Sequence, residues 1–168
     1  ASEERPLHMF VKAFDRNGTI EQIICQFEGD KLFPLSLRHD LSMQIPSIKK
    51  KYLKYDSYKD QEITDIFGSK ELNGALDLTA SHLASTIFLN KGLMEFEKMD
   101  LPDEVQYSCV YTVEVADFNF DGYSDILFGG NLYDVKPEMG QYDASYGTLL
   151  IGNGSGQFVI KGQAASGI

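Results

Sequence analysis

The chain has 168 residues, and its 25 acidic against 15 basic side chains give a formal net charge of −10, a balance that repels phosphate backbones and argues against nucleic acid as a main partner. Apolar residues at 43% and charged residues at 24% are too hydrophobic for a disordered chain, and the length supports one domain with a sizeable core. No apolar run approaches the roughly 18 residues of a bilayer span, and "ASEERPLHMF" lacks the basic start and apolar middle of a signal peptide, so a soluble chain is expected, after removal of any leader.

The first element read along the chain has a second copy. "MFVKAFDRNGTIEQII" from Met9 lines up without gaps against "VEVADFNFDGYSDILF" from Val113, an offset of 104. Phe14 meets Phe118, Asn17 meets Asp121, Gly18 meets Gly122 and Glu21 meets Asp125. A further pair follows: "STIFLNKGLMEF" from Ser85 matches "GTLLIGNGSGQF" from Gly147 at an offset of 62. The first copy therefore carries 104 − 62 = 42 more residues between its halves. An internal repeat fixes the fold argument before any single element does.

Both halves read as β. Apolar and β-branched runs such as "VYTVEVA", "SDILFGG", "TIFL" and "TLLI" are bounded by Gly, Asn and Asp turns, and "GNGSGQF" supplies the glycines a hairpin needs. Residues 32–84 differ. In "LSMQIPSIKKKYLKYDSY", Ile48, Tyr52 and Tyr55 fall on one helical face and Lys49, Lys50, Lys51 and Lys54 face elsewhere, which predicts a short amphipathic helix with a solvated basic side. "QEITDIFGSKEL" adds a helical turn, and "GALDL" returns to strand.

The expectation is thus a mainly β fold: a partial β-propeller with two blade-like repeats of antiparallel strands and a short helical insertion in the first. All of residues 1–168 form one propeller-type segment. Repeat one covers about 7–100 with the insertion at 32–84, and repeat two about 105–162. Two repeats are fewer than such an array needs for stability, so the segment reads as a piece of a longer propeller or as one that self-associates; the abrupt "GQAASGI" agrees with excision.

The stretch "DFNFDGYSD" carries the candidate chemistry. Asp117, Asn119 and Asp121 stand at positions 1, 3 and 5, Gly122 permits the turn, the Tyr123 carbonyl serves position 7, and Asp125 closes at position 9. Calcium takes six to eight oxygens, and alternate side chains wrapped by a tight turn can present them. Three carboxylates in so small a space repel one another without a cation. An EF-hand would need a bidentate Glu where Phe128 stands, and helices where these flanks read as strands. In the first copy Ala13 has no oxygen for position 1, leaving Asp15, Asn17, the Thr19 carbonyl and Glu21 as a weaker second loop, with an unoccupied turn as the alternative.

These residues resemble FG-GAP and VCBS repeats, the calcium-loop propeller repeats also found in integrin α-chain heads. Asp117 to Asp125 match their D-x-[DN]-x-D-G-x-x-D form at every position, and "GNGSGQF" is similar to their hairpin. "GGNLYDVKPEMGQYDASYG" and its flanks look most like bacterial VCBS-repeat proteins of the ASPIC/UnbV group. The resemblance covers about two thirds of the chain. It implies a calcium-stabilised binding or scaffold module of an exported bacterial protein, placed outside the cell, in the periplasm or on the cell surface, with adhesion among its roles.

No enzyme motif accompanies it. His8, His39 and His82 have no metal-ligand spacing, Asn153 breaks GxSxG around Ser155, and Gln157 breaks GxGxxG. Cys25 and Cys109 lack CxxC spacing and read as two small buried side chains or one bridge. The long connection "NLYDVKPEMGQYDASYG" offers Tyr133, Asp134, Tyr142, Asp143 and Tyr146, tyrosines beside carboxylates that can stack on a sugar or a peptide. The alternatives kept open are therefore a carbohydrate- or polymer-presenting accessory region of a secreted enzyme, and a fragment that completes a ring from several chains.

Overall fold

A computed structural model describes residues 1–137 and 140–167. The chain divides into two compact units, Ala1–Leu83 and Ala84–Ile168. The division falls at the end of the stretch that the sequence marks as an insertion. Strands predominate and every strand pairing is antiparallel.

In the first unit β1 (Leu7–Lys12), β2 (Glu21–Glu28), β3 (Lys31–Pro34) and β4 (Leu76–Ala80) form a sheet of order β3-β2-β1-β4. β2 alternates strictly at its start, with Glu21, Ile23 and Cys25 buried and Gln22, Ile24 and Gln26 exposed, because successive side chains of a strand face opposite sides. β3 lies inside the segment assigned to the insertion. It returns through a two-residue turn between Glu28 and Lys31, where Gly29 takes φ 62°, a left-handed value that costs a glycine little.

Four short helices cover one face of this sheet: α1 (Arg38–Gln44), α2 (Ser47–Lys51), α3 (Ile63–Phe67) and α4 (Ser69–Asn73). Leu41, Ile45, Ile48, Tyr52, Tyr58, Ile63, Ile66 and Leu72 pack with Phe10, Ile23 and Cys25 into one core. The helical face expected at Ile48, Tyr52 and Tyr55 holds only for the first two. Ile48 and Tyr52 are 3% and 5% exposed, but Tyr55 is 58% exposed. The reason is that α2 ends at Lys51 and the chain extends at Tyr52, with φ −118° and ψ 87°. Tyr55 therefore starts a separate 3₁₀ turn, where the Arg38 guanidinium lies 5.1 Å from its ring centre. All four lysines, Lys49, Lys50, Lys51 and Lys54, are exposed. Lys51 also caps a helix, its Nζ donating to the carbonyls of Asp65 and Ile66 at 2.6 and 2.9 Å, oxygens that the end of α3 leaves unpaired.

The second unit contains a two-stranded hairpin, β5 (Thr86–Gly92) and β6 (Glu95–Asp100), then the short helix α5 (Asp103–Gln106). β7 (Thr112–Ala116), β8 (Asp125–Gly129), β9 (Thr148–Gly152) and β10 (Phe158–Lys161) follow as a four-stranded meander of order β10-β9-β8-β7. Leu101, Val105, Ile126, Phe128 and Leu150 form its core, with Ile87, Val110, Phe158 and Ile160 packed against them. The second repeat copy thus builds one continuous sheet. The first does not: its hairpin β5–β6 belongs to the second unit, and β3 pairs with β2 instead.

Cys25 and Cys109 are both free, the former buried and the latter half-buried.

Candidate metal loops

The loop between β7 and β8 is organised by its own side chains. Asn119 and Asp121 each accept an N–H two residues on: Asp121 N–H donates to Asn119 Oδ1 at 2.9 Å and Tyr123 N–H to Asp121 Oδ1 at 2.9 Å. Such turns satisfy backbone donors locally and favour Asp and Asn at alternate positions. Asp117 accepts from the N–H groups of Asp121 and Gly122 at 3.1 and 2.8 Å. Asn119 Nδ2 donates to Asp121 Oδ2 at 2.7 Å.

Asp125 closes the loop from inside the protein. It is 0% exposed; Phe118 N–H donates to its Oδ2 and Gly152 N–H to its Oδ1, each at 2.9 Å. The second bond ties the loop to β9. Sequence reading placed Asp125 at the loop's end but missed Gly152, whose contribution is a backbone N–H. Its sequence signal was the matched pair of segments itself, which brings the end of "GTLLIG" beside the loop.

The first copy repeats the side-chain turns and the closing bond of this construction. Phe14 N–H donates to Glu21 Oε2 at 2.7 Å, as Phe118 does to Asp125. Asn17 N–H donates to Asp15 Oδ1 at 3.0 Å and Thr19 N–H to Asn17 Oδ1 at 2.7 Å. Left-handed backbone occurs at Arg16 and Phe120, φ 58° and 62°, and at Gly18 and Gly122, φ 94° and 90°. Both pairs are 104 residues apart, so the gapless alignment is reproduced in backbone conformation. Two differences separate the copies. Ala13 replaces Asp117, and Glu21 Oε1 accepts from the Thr19 hydroxyl at 2.7 Å where Asp125 accepts from a neighbouring strand.

The donors of the second loop are oxygens only: three carboxylates, the Asn119 amide and the Tyr123 carbonyl, the chemistry that suits a hard cation such as calcium. Each carboxylate accepts two hydrogen bonds, about half of its roughly four acceptor directions. Among the described residues no Lys or Arg forms an ion pair with Asp117, Asp121 or Asp125. Among the same residues, no three His, Cys, Asp or Glu side chains are grouped closely enough to hold a metal ion. The donor chemistry fits calcium, and a sphere around it would draw on Asn119 and the Tyr123 carbonyl as well as the carboxylates.

The tyrosine-rich connection is held at its base. Leu132 and Tyr142 exchange backbone hydrogen bonds at 2.8 and 3.0 Å. Asn131 spans the same neck: its Nδ2 donates to Ser145 O at 2.9 Å and its Oδ1 accepts from Ser145 N–H at 3.0 Å. Ser108 Oγ, with one hydrogen to give, lies 2.8 Å from Tyr142 O and 3.0 Å from Asn131 Oδ1. The structure leaves Tyr133, Tyr142 and Tyr146 at 59%, 39% and 74% exposure, and Asp134 and Asp143 are exposed as well. Asn131 escaped sequence reading because a single Asn beside a glycine pair reads as an ordinary turn residue. Glu138 and Met139 of this connection lie outside the described residues.

In the first unit, burial pushes the Cys25 thiol up to about 12, with the Asp77 carboxylate adding to the effect. The Tyr58 hydroxyl is also pushed up to about 12, by burial first and then by Cys25 and Tyr52. Both groups are buried in the core and favour their neutral forms.

Comparison with family models, curated proteins and solved structures gives no match to this chain.

Proposed function

We propose that this chain is a non-catalytic, calcium-binding module of the FG-GAP/VCBS type, a propeller-type binding or scaffold segment of an exported bacterial protein. The observation that carries this reading is the pair of loops 104 residues apart with the same left-handed residues and the same closing bond from Phe N–H to a buried acid. Only the second of them keeps three carboxylates, and none has a basic partner among the described residues. The four-stranded meander β7–β10 supports the blade assignment, with the loop placed between its first two strands. Calcium's role is structural: it draws the loop's carboxylates, Asn119 and the Tyr123 carbonyl around one ion, offsets their charge and stiffens the connection, and needs no open coordination position.

The test is titration calorimetry together with thermal melts in calcium and in EDTA. A site saturated at a hundredfold excess over its dissociation constant adds about 2.7 kcal/mol of stability. Asp121→Ala abolishes that increment, and Asp15→Ala leaves it intact. Absence of any calcium-dependent shift in the unsubstituted protein refutes the reading.

A second reading, presentation of a carbohydrate or other polymer, is favoured by the neck that Asn131 builds beneath three exposed tyrosines. Glycan-array binding lost on Tyr142→Ala supports it, and an array without signal removes it.

A further inference from the structure

The helical segment of the first unit carries a surface that the calcium loops do not use. Between Ser47 and Tyr55 the chain has four lysines and no acidic residue, although acids outnumber bases 25 to 15 over the whole sequence. Lys51 gives its ammonium to the end of α3. Among the described residues, Lys49, Lys50 and Lys54 form no ion pair, and all three are exposed. The next acid along the chain, Asp56, is already engaged by Lys59 at 2.9 Å.

The same stretch turns apolar groups outward. Ile48 and Tyr52 point into the core, which leaves Lys49, Lys50 and the following Leu53 on the solvent side. Leu53 is 79% exposed. A single exposed leucine is ordinary on a protein surface, but the backbone of this one is clamped. Arg38, itself only 9% exposed, donates from Nε to Tyr52 O and from Nη2 to Leu53 O, and its guanidinium also lies against the ring of the exposed Tyr55. One buried arginine thus fixes the chain from Tyr52 to Tyr55 and holds Leu53 outward beside Lys54.

We propose that residues 47–55 are a docking surface for a bilayer leaflet rich in anionic phospholipid. Lys49, Lys50 and Lys54 meet the phosphates, Leu53 reaches the boundary of the acyl chains, and Tyr55 sits at the level of the headgroups. Charge complementarity selects the occupant. These are unpaired cations on a chain whose net charge of −10 repels such a surface elsewhere, and each lysine near an anionic bilayer adds attraction. Leu53 selects lipid over other polyanions. An acidic peptide or glycan pairs with lysines but has no apolar layer for an outward leucine, whereas basic side chains beside an exposed leucine and tyrosine suit the boundary between headgroups and acyl chains. Electrostatic attraction and buried apolar area add in contacts of this kind. The inference does not rest on the calcium loops, and measurement in EDTA keeps the failure of either reading separate.

The chain has no tryptophan, so Leu53→Trp supplies a single fluorescent reporter at the docking loop. Vesicles of phosphatidylcholine with phosphatidylglycerol are expected to shift its emission to the blue, and vesicles of phosphatidylcholine alone are not. A reporter at the exposed Val159 of the second unit, Val159→Trp, stays unshifted with both. Co-sedimentation of the full chain with the mixed vesicles measures the affinity. Each of Lys49→Ala, Lys50→Ala and Lys54→Ala weakens it about fivefold, the equivalent of roughly 1 kcal/mol per lysine, and added salt weakens it further. Leu53→Ser weakens it at least about tenfold, the effect of losing one leucine's burial. All four positions are exposed, so the thermal midpoints without lipid stay at the parent's value. Absence of sedimentation with the anionic vesicles overturns the proposal, as does binding indifferent to Leu53→Ser or to the three lysine substitutions combined. A Val159→Trp reporter that shifts as much as Leu53→Trp also overturns it. Binding to polyglutamate without binding to vesicles overturns it in favour of an acidic peptide.

Discussion

Asp125→Ala separates the backbone role of this side chain from any role in holding an ion. With EDTA present any bound ion is removed, and the remaining work of Asp125 is to accept the N–H groups of Phe118 and Gly152, each at 2.9 Å, from a position 0% exposed. Leaving a buried donor unsatisfied costs about 1–3 kcal/mol, so two donors suggest about 2–6. Removing a buried carboxylate also relieves a desolvation cost, which brings the expected net loss to about 2–4 kcal/mol. Against a typical total of about 5–15 kcal/mol, that is a large fraction. Urea unfolding followed by circular dichroism is the assay. With a slope of about 2 kcal/mol per molar urea, the middle of the usual range, the midpoint falls by about 1–2 M at unchanged slope. Asp125→Asn keeps the shape and one acceptor but turns an amide N–H₂ toward a backbone donor, and it loses about half as much. An Asp125→Ala midpoint within about 0.3 M of the parent would mean that the two bonds contribute nothing net, and the account of the loop as a buried clamp would be wrong.

Three further outcomes follow from the packing. Gly152→Ala destabilises the second unit by more than about 2 kcal/mol in urea unfolding, because a Cβ there would meet Ser124 O at 2.2 Å and the strand must shift; Gly162→Ala, where nothing lies within 4 Å, serves as the neutral control. Native-state thiol labelling at pH 8 modifies Cys109, half-buried, well before Cys25, which is buried with its thiol pushed up to about 12; equal labelling rates overturn that ordering. Stability measured against pH falls above about pH 9, since the thiol's folded value of about 12 lies above its ordinary value of 9.0. Its contribution is then complete below 9 and is lost as pH rises toward 12, with a slope of about 1.4 kcal/mol per pH unit. Tyr58, raised from 10.0 to about 12, adds to the loss from pH 10 upward, and Cys25→Ser removes the earlier part of it.

The two loops were legible in the sequence because their determinants are local. An Asp or Asn two residues before the N–H it accepts, and a glycine where φ reaches 90°, leave a spacing that any register error would destroy. The meander β7–β10 was legible for a related reason: alternating runs separated by strong turns fix neighbours that are close in sequence. The partner of β2 was not. Choosing between β3, a few residues away, and β5, more than fifty residues on, depends on non-local pairing that periodicity does not encode. The turn at Gly29 was the available signal, since "FEGDKLF" reads as a hairpin once the glycine is given its left-handed φ. Tyr55 failed differently. Its helical spacing from Ile48 and Tyr52 was correct, but the helix ended before reaching it.

Side-chain-to-backbone hydrogen bonds organise both loops. The first copy has lost the position-1 oxygen at Ala13, and it still shows the successive side-chain turns at Asp15 and Asn17 and the closing bond from Phe14 to Glu21. The turn is therefore satisfied by side-chain-to-backbone hydrogen bonds alone, before any cation contributes. Glu21 is one methylene longer than Asp125, and that reach lets its second oxygen meet the Thr19 hydroxyl within the loop. Asp125, which faces Tyr123 at position 7 with no hydroxyl on its Cβ, takes the Gly152 N–H from β9 instead. The exchange of one acid for another thus changes what the loop is fastened to. In the second copy it is stapled to the next hairpin of its own sheet. In the first it is self-contained. Glu21→Asp in the first copy accordingly withdraws the carboxylate from the Thr19 hydroxyl. It therefore lowers the urea midpoint of the protein, and Asp125→Glu in the second copy loosens the hold of β9. A Glu21→Asp variant with the parent's urea midpoint would show that the acid's length has no part in closing the first loop.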